Sequence, residues 1–410
     1  MSSLVDALVA RTRRLDAPPD LLALAGADGL LHVQGTEGMA GRGEVVSMSV
    51  ADASRVLAAI EVDDPVGRPG TGAMAFGALP FRPDPQAELV VPAVVWGVAD
   101  GEAWVTTIAA SDEEHEALAA PPPPTPVATP EPHVTVTPAR DPRWWCELVA
   151  RATIDLRAGS PDGMTKVVLA REVFADADVP FDRAAILRRL QAAYPGCFLF
   201  LVDGFLGASP ELLVRRAGDL VRAQPMAGTA PRSDDPAVDA ELAAALLASP
   251  TYRQEHQITI DMVYDTLLPW CSYLDYEAEP SVVAVANVQH LATFVEGRLS
   301  QPTPSILELV AALHPTPAVS GSPRDVAAAW IRANEGFDRG RYAGTVGWVD
   351  GAGNGTWAVS IRCAEVDGAR ARLFAGNGIV ADSDPATELA ETEAKLAAVL
   401  NALQGRPLRS

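Results

Sequence analysis

The stretch that decides the fold is Gly344-Thr345-Val346-Gly347-Trp348-Val349-Asp350-Gly351-Ala352-Gly353-Asn354-Gly355-Thr356-Trp357-Ala358-Val359-Ser360-Ile361-Arg362-Cys363. Two runs rich in β-branched and aromatic residues, Gly344 to Val349 and Thr356 to Cys363, flank the short Gly-rich connection Asp350-Gly351-Ala352-Gly353. Such a connection suits a hairpin, which argues for largely antiparallel sheet. A further strand is expected at Arg372 to Ala375, and extended runs at Lys166 to Phe174, Cys197 to Val202 and Ser281 to Val295. Helical patterning is interleaved with these at Pro142 to Leu156, Phe181 to Ala193 and Tyr252 to Leu268. The last helix, Pro385 to Leu403, follows Ser383-Asp384 with Pro385 in its first position, a well-formed N-terminal signal. The expected fold class is therefore α+β.

Toward the N-terminus, Leu30 to Val33, Val90 to Val98 and Trp104 to Ile108 lie between Gly and Pro punctuation and read as strands. A run of prolines, Pro121 to Pro124, Pro126, Pro130 and Pro132, favours extended polyproline conformation over helix or sheet. It divides the chain into an N-terminal α/β lobe (1–118), a linker (119–137) and a main domain (138–403).

Composition narrows the class. Hydrophobic residues make up 48% of the 410 and charged residues 21%, which suits a globular chain with a substantial core. A formal net charge of −21 speaks against nucleic acid and anionic membranes, so an anionic ligand would need cations or backbone donors supplied locally. No window of about 18 uncharged apolar residues occurs, which removes a membrane span. The four cysteines show no CxxC spacing and no leader is evident, so the expected location is the cytoplasm.

Among 32 Lys and Arg residues only Lys166 and Lys395 are lysines. Arginine replaces lysine as a surface cation but cannot act as a base, so a retained lysine points to chemistry that arginine cannot copy. In Lys166-Val-Val-Leu-Ala-Arg-Glu the strand period puts Lys166, Val168 and Ala170 on one face. Lys166 is then either a desolvated base or a strand-end lysine reaching water. In Gly207-Ala-Ser-Pro-Glu211 a turn delivers a carboxyl group to a sheet edge, where Glu211 is a general acid or an arginine's partner. Glu388, Glu391 and Lys395 fall on one helical stripe, either a solvated face or a pair of hard oxygen ligands suited to Mg²⁺. Glu255 shares a stripe with Ile258 and Met262 and so requires a partner, a metal or an arginine. Gly-rich turns at Ala227-Gly228-Thr229 and Ala375-Gly376-Asn377-Gly378 offer backbone donors to an anion, and Tyr342 and Arg362 suit a carboxylate. His290 is a core histidine or a ligand-binding one.

From Trp144 to Leu403 the ordered segments resemble the chorismate-binding enzyme family, the fold of anthranilate synthase component I, and most closely its isochorismate synthase branch. They are Lys166-Val-Val-Leu-Ala-Arg, Gly207-Ala-Ser-Pro-Glu-Leu-Leu, Ala227-Gly-Thr, Glu255-His, Gln289-His-Leu-Ala-Thr, Leu313-His-Pro-Thr-Pro-Ala-Val-Ser-Gly, Tyr342-Ala-Gly, Ile361-Arg and Glu388-x-x-Glu-Thr-x-x-Lys395. The resemblance implies a two-lobed α+β fold with antiparallel sheets packed inside outer helices, and chorismate as substrate. Lys166 would activate water for attack at C2, and Glu211 would protonate the hydroxyl leaving C4. Glu255, Glu391 and, through water, Glu388 would hold Mg²⁺ against the ring carboxylate. Tyr342, Arg362, Gly228 and Thr229 would hold the enolpyruvyl carboxylate, with Gly376, Gly378, His290 and Lys395 in support.

Within the family, Lys166 favours water over ammonia as nucleophile. Ala318 stands where pyruvate-eliminating salicylate synthases tend to carry threonine, so the reaction is expected to stop at isochorismate, a precursor for menaquinone or siderophores. Salicylate synthesis and a silent chorismate-binding homologue are the alternatives; the second conflicts with retention of Lys166, Glu211 and the glutamates. The active unit is expected to be a monomer. Asn377 departs from the small apolar residue usual at its position, and the N-terminal third matches weakly.

Overall fold

The computed structural model describes residues 5, 7–120, 132–159, 163–233, 235–285 and 288–406. The expected α+β architecture of antiparallel sheets and outer helices is what the chain adopts. Strands form a 13-stranded, a 9-stranded and a 3-stranded sheet, antiparallel apart from the pairing of Val9–Leu15 with Glu61–Asp63. The two large sheets share a core that holds Phe76, Trp104, Phe200, Phe205 and Trp357. Helices Leu21–Ala25, Arg183–Ala193 and Pro385–Leu403 cover the other face of the larger sheet.

Strand Phe198–Val202 shows why an uninterrupted apolar run can be a strand here. Phe198, Phe200 and Val202 enter the core between the sheets, while Leu199 and Leu201 enter the helical layer. With both faces covered, alternation of apolar and polar residues is lost.

Three expected strands prove to be composite. Val90 to Val98 splits into Glu88–Val91 in the 9-stranded sheet and Val94–Ala99 in the 13-stranded one, divided at Pro92, which has no N–H to continue a ladder. Thr356 to Cys363 splits likewise into Gly355–Val359 and Cys363–Asp367. Ser281 to Val295 contains Ser281–Val285, Val288–Ala292 and the start of Val295–Leu299. The hairpin read first is present, with Thr345–Asp350 paired to Gly355–Val359. Asp350 closes its turn by accepting hydrogen bonds from the backbone N–H of Ala352 and Asn354.

Of the Pro-rich stretch, residues 121–131 lie outside the described residues. Val134–Pro138 beyond it is an edge strand on Lys166–Ala177, an edge being where a strand tolerates proline. Strands from either side of that stretch share both large sheets: Leu30–Gln34 pairs with Phe198–Val202, and Met74–Leu79 with Thr345–Asp350.

Candidate active site

The chain passes between the two large sheets twice at one place. Pro210-Glu211 joins Phe205–Ser209 in the larger sheet to Leu212–Ala217 in the smaller, and Ser360-Ile361-Arg362 makes the reverse crossing. At such crossings the ladder is interrupted, and side chains turn into the seam. Arg362 adopts φ 54°, a left-handed conformation that is uncommon outside glycine. The seam opens into a cavity of about 800 Å³ lined by every one of the expected residues: Lys166, Glu211, Gly228, Thr229, Glu255, His290, Ala318, Tyr342, Arg362, Gly376, Gly378, Glu388, Glu391 and Lys395.

Lys166 opens strand Lys166–Ala177 and is 4% exposed, so its side chain does not reach for water. Its Nζ donates to Glu255 Oε1 at 2.6 Å. The partner that Glu255 requires on its helix, Pro250–Leu267, is therefore a lysine, where a metal or arginine was expected. A Cβ on Gly378 would stand 2.5 Å from Lys166 Cε, so that position must be glycine for the lysine to lie as it does.

Glu211 is buried, and burial pushes its carboxyl up to about 8 against the weaker opposing effects of the Met226 N–H and the Lys166 charge. The group keeps its proton at neutral pH. No arginine forms an ion pair with it among the described residues.

The two Gly-rich segments are not turns. Gly228 sits at a bulge in strand Met226–Pro231, with φ 75°. Gly376 and Gly378 lie inside strand Arg370–Ile379, paired with Ala170 and Val168. A Cβ on Gly376 would stand 2.5 Å from the Leu169 carbonyl and 3.0 Å from the Tyr342 hydroxyl, so close packing selects glycine there.

Arg362 brings a cation to the cavity wall. The guanidinium enters no ion pair among the described residues and stands 3.5 Å from His290 Nε2. His290 Nδ1 lies 3.2 Å from the Gly228 carbonyl, which can only accept, so Nδ1 carries the proton and Nε2 accepts from Arg362. Burial first, then the charges of Arg362 and Lys395, lowers His290 to about 3, and the ring stays neutral. Tyr342 stacks on Phe374 at 5.0 Å and 14°, which steadies its hydroxyl at the cavity wall.

The three expected metal ligands line the cavity but each has a protein partner. Glu255 pairs with Lys166, Glu391 Oε1 accepts from Lys395 Nζ at 2.5 Å, and Glu388 Oε2 accepts from Asn377 Nδ2 at 2.9 Å. Among the described residues no three His, Cys, Asp or Glu groups converge closely enough to hold a metal ion. Their charges still meet at one place, since Glu391, Glu255 and Glu388 together add to burial in raising the Tyr252 hydroxyl. Burial, with Glu391 contributing, also raises Glu388. Carboxylate oxygens are the hard donors that a divalent cation such as Mg²⁺ takes, and here lysines engage two of the three carboxylates, Glu255 and Glu391.

Sequence reasoning missed Tyr252 on the rim and Arg339 in the wall. Arg339 is buried against Glu335, stacks on Phe81 at 4.3 Å, and donates to the carbonyls of Val168 and Val319. It thereby ties the Lys166 strand to the loop that carries Ala318. The Glu335/Arg339 spacing of four was the available signal, but helix Arg324–Asn334 ends before either residue. Among the described residues no helix is long and apolar enough to cross a membrane, and Cys146, Cys197, Cys271 and Cys363 are free.

The chorismate binding enzyme family model matches residues 23–404. A Mycobacterium tuberculosis protein provisionally named isochorismate synthase MenF is 42% identical over 350 residues, covering 82% of this chain and 88% of its own. Isochorismate synthase DhbC of Bacillus subtilis is 37% identical over 341 residues, 80% of each chain. The structure of MenF, the menaquinone-specific isochorismate synthase from Escherichia coli, matches with a TM-score of 0.83 at 26% identity, covering 97% of this chain and 94% of that one. Anthranilate synthase component I from Streptococcus pneumoniae shares the fold at a TM-score of 0.75 and 21% identity, covering 90% and 92%. With the match spanning nearly the whole sequence and the family's motif residues gathered around one cavity, this chain belongs to the chorismate-binding enzyme family.

Proposed function

We propose that the chain is an isochorismate synthase, an isomerase that converts chorismate to isochorismate with Mg²⁺. The observation that carries this reading is that one cavity is lined by both buried Lys166 and a Glu211 held protonated. A carboxylic acid that titrates near 8 is a competent proton donor to a leaving hydroxyl at neutral pH. In its neutral form, with one proton passed to Glu255, Lys166 takes the proton of an attacking water as the water oxygen bonds to C2. The ring double bonds shift, the C4–O bond breaks, and Glu211 gives its proton to the departing hydroxyl, which leaves as water. One water enters and one leaves, so the product is an isomer of the substrate.

Arg362, with Tyr342 and the Gly228–Thr229 bulge, receives a substrate carboxylate that the overall negative charge would otherwise repel. Glu255, Glu391 and Glu388 would hold Mg²⁺, which when bound neutralises the ring carboxylate and polarises the substrate. Ala318 supports release at the isochorismate stage, in keeping with the names of the relatives. The free cysteines support a cytoplasmic location, and a cavity lined from a single chain supports a monomer.

The test is to incubate the pure protein with chorismate and Mg²⁺, with and without EDTA, and identify products by chromatography and mass spectrometry. Isochorismate without pyruvate, lost on adding EDTA, is the expected result. Salicylate with pyruvate would transfer the chain to the lyase branch, and no turnover would favour the silent homologue.

A further inference from the structure

Asn377 is buried and lies directly opposite Leu169 on strand Arg370–Ile379. Its neighbours Gly376 and Gly378 face the cavity, and the strand period turns Asn377 to the other side, beneath the first turns of helix Pro385–Leu403. From there its Nδ2 donates to both the main-chain oxygen of Glu388, at 2.8 Å, and Glu388 Oε2, at 2.9 Å. Its Oδ1 accepts from Lys395 Nζ at 2.9 Å. The other two protons of Lys395 go to the Gly376 carbonyl, at 3.1 Å, and to Glu391. A single amide thus joins the carboxylate and the ammonium that bracket the helical stripe, with Glu391 between them. The amide carries donor and acceptor on separate atoms, as these contacts need, whereas an ionised aspartate has no donor and a small apolar residue has neither.

We propose that Asn377 is a positioning residue that holds Glu388 and Lys395 in fixed relation and so sets the affinity of the cavity carboxylates for a divalent cation. The proposal rests on the metal reading given above. Asn377 does not line the cavity, and its influence passes entirely through two residues that do. Groups that orient metal-binding carboxylates in this way commonly change metal affinity by about 10- to 100-fold when removed.

The experiment titrates Mn²⁺ into the chorismate-free protein and follows free Mn²⁺ by electron paramagnetic resonance, for wild type, Asn377→Ala and Asn377→Leu. Leucine has the same number of side-chain heavy atoms as asparagine and the same branch point but is bulkier, so it removes the hydrogen bonds without opening a cavity. Both variants are expected to bind Mn²⁺ at least about tenfold more weakly than wild type. Affinities unchanged in both overturn the proposal even if melting temperatures fall, because a purely structural residue would give that pattern. Loss in the alanine variant alone also overturns it, by tracing the effect to a void. A wild type that binds no Mn²⁺ removes the metal reading, and this inference with it.

Discussion

Replacing Glu211 with Gln is expected to slow turnover severely while making the protein more stable, by an amount that grows with pH. The carboxyl titrates near 8 in the folded chain against an ordinary value of 4.5. Because the folded pKa is raised, the folded state binds the proton more tightly. The stability it contributes is fully present below pH 4.5 and is lost as pH rises from there toward 8. At pH 7 the wild-type chain must take up a proton at this site to fold, a cost of about 3 kcal/mol (2.5 pH units at about 1.4 kcal/mol each). At pH 5 the same cost is under about 1 kcal/mol. Glutamine is neutral, has the same shape and still accepts from the Met226 N–H, so it avoids this cost. Urea unfolding of both proteins at pH 5, 6, 7 and 8 should give a stability difference that widens by about 1.4 kcal/mol per unit up to roughly pH 8. Product analysis should show a rate loss of about 10²- to 10⁴-fold from removal of the acid. Parallel stability profiles would refute the protonated-carboxyl reasoning, and full turnover in the glutamine variant would refute the assignment of the acid.

Lys166→Arg keeps a cation beside Glu255 but has no accessible basic form, so turnover should fall at least about 10²-fold with little change in melting temperature; substantial activity measured by chromatography would remove Lys166 from the chemistry. Gly378→Ala introduces a Cβ 2.5 Å from Lys166 Cε, and the displaced lysine should cost about 10²-fold in kcat. The same substitution should lower unfolding stability by about 1–3 kcal/mol through overpacking, and an unaltered kcat would show that Lys166 has room to adjust.

Several features were legible because they depend on local chemistry. The hairpin around Asp350 follows from its Gly-rich turn, and the final helix begins where Asp384 and Pro385 announce it, with the Asp384 carboxylate accepting from Thr387 N–H at 2.9 Å. The stripe of Glu388, Glu391 and Lys395 follows from helical period, and all three reach the cavity. Other features were misread because local pattern is silent on neighbours. Residues 375–378 look like a turn in isolation, yet they are strand, and their glycines answer to Lys166 and Tyr342, which lie far away in sequence. The run 356–363 reads as one strand because nothing in its residue types marks Arg362 for a left-handed conformation; the departure from one sheet to the other imposes it.

By itself, then, the sequence determined the fold class, the family and the set of residues that meet, since these follow from periodicity, turn chemistry and ordered motifs. Only the tertiary structure decided what each site residue touches: Glu255 on Lys166, Glu391 on Lys395, Glu388 on Asn377, and Glu211 left with its proton. The physical reason is that burial and ion pairing belong to the seam between two sheets, where groups separated by tens to hundreds of residues share one poorly solvated space, and no spacing within a single segment reports the company kept there.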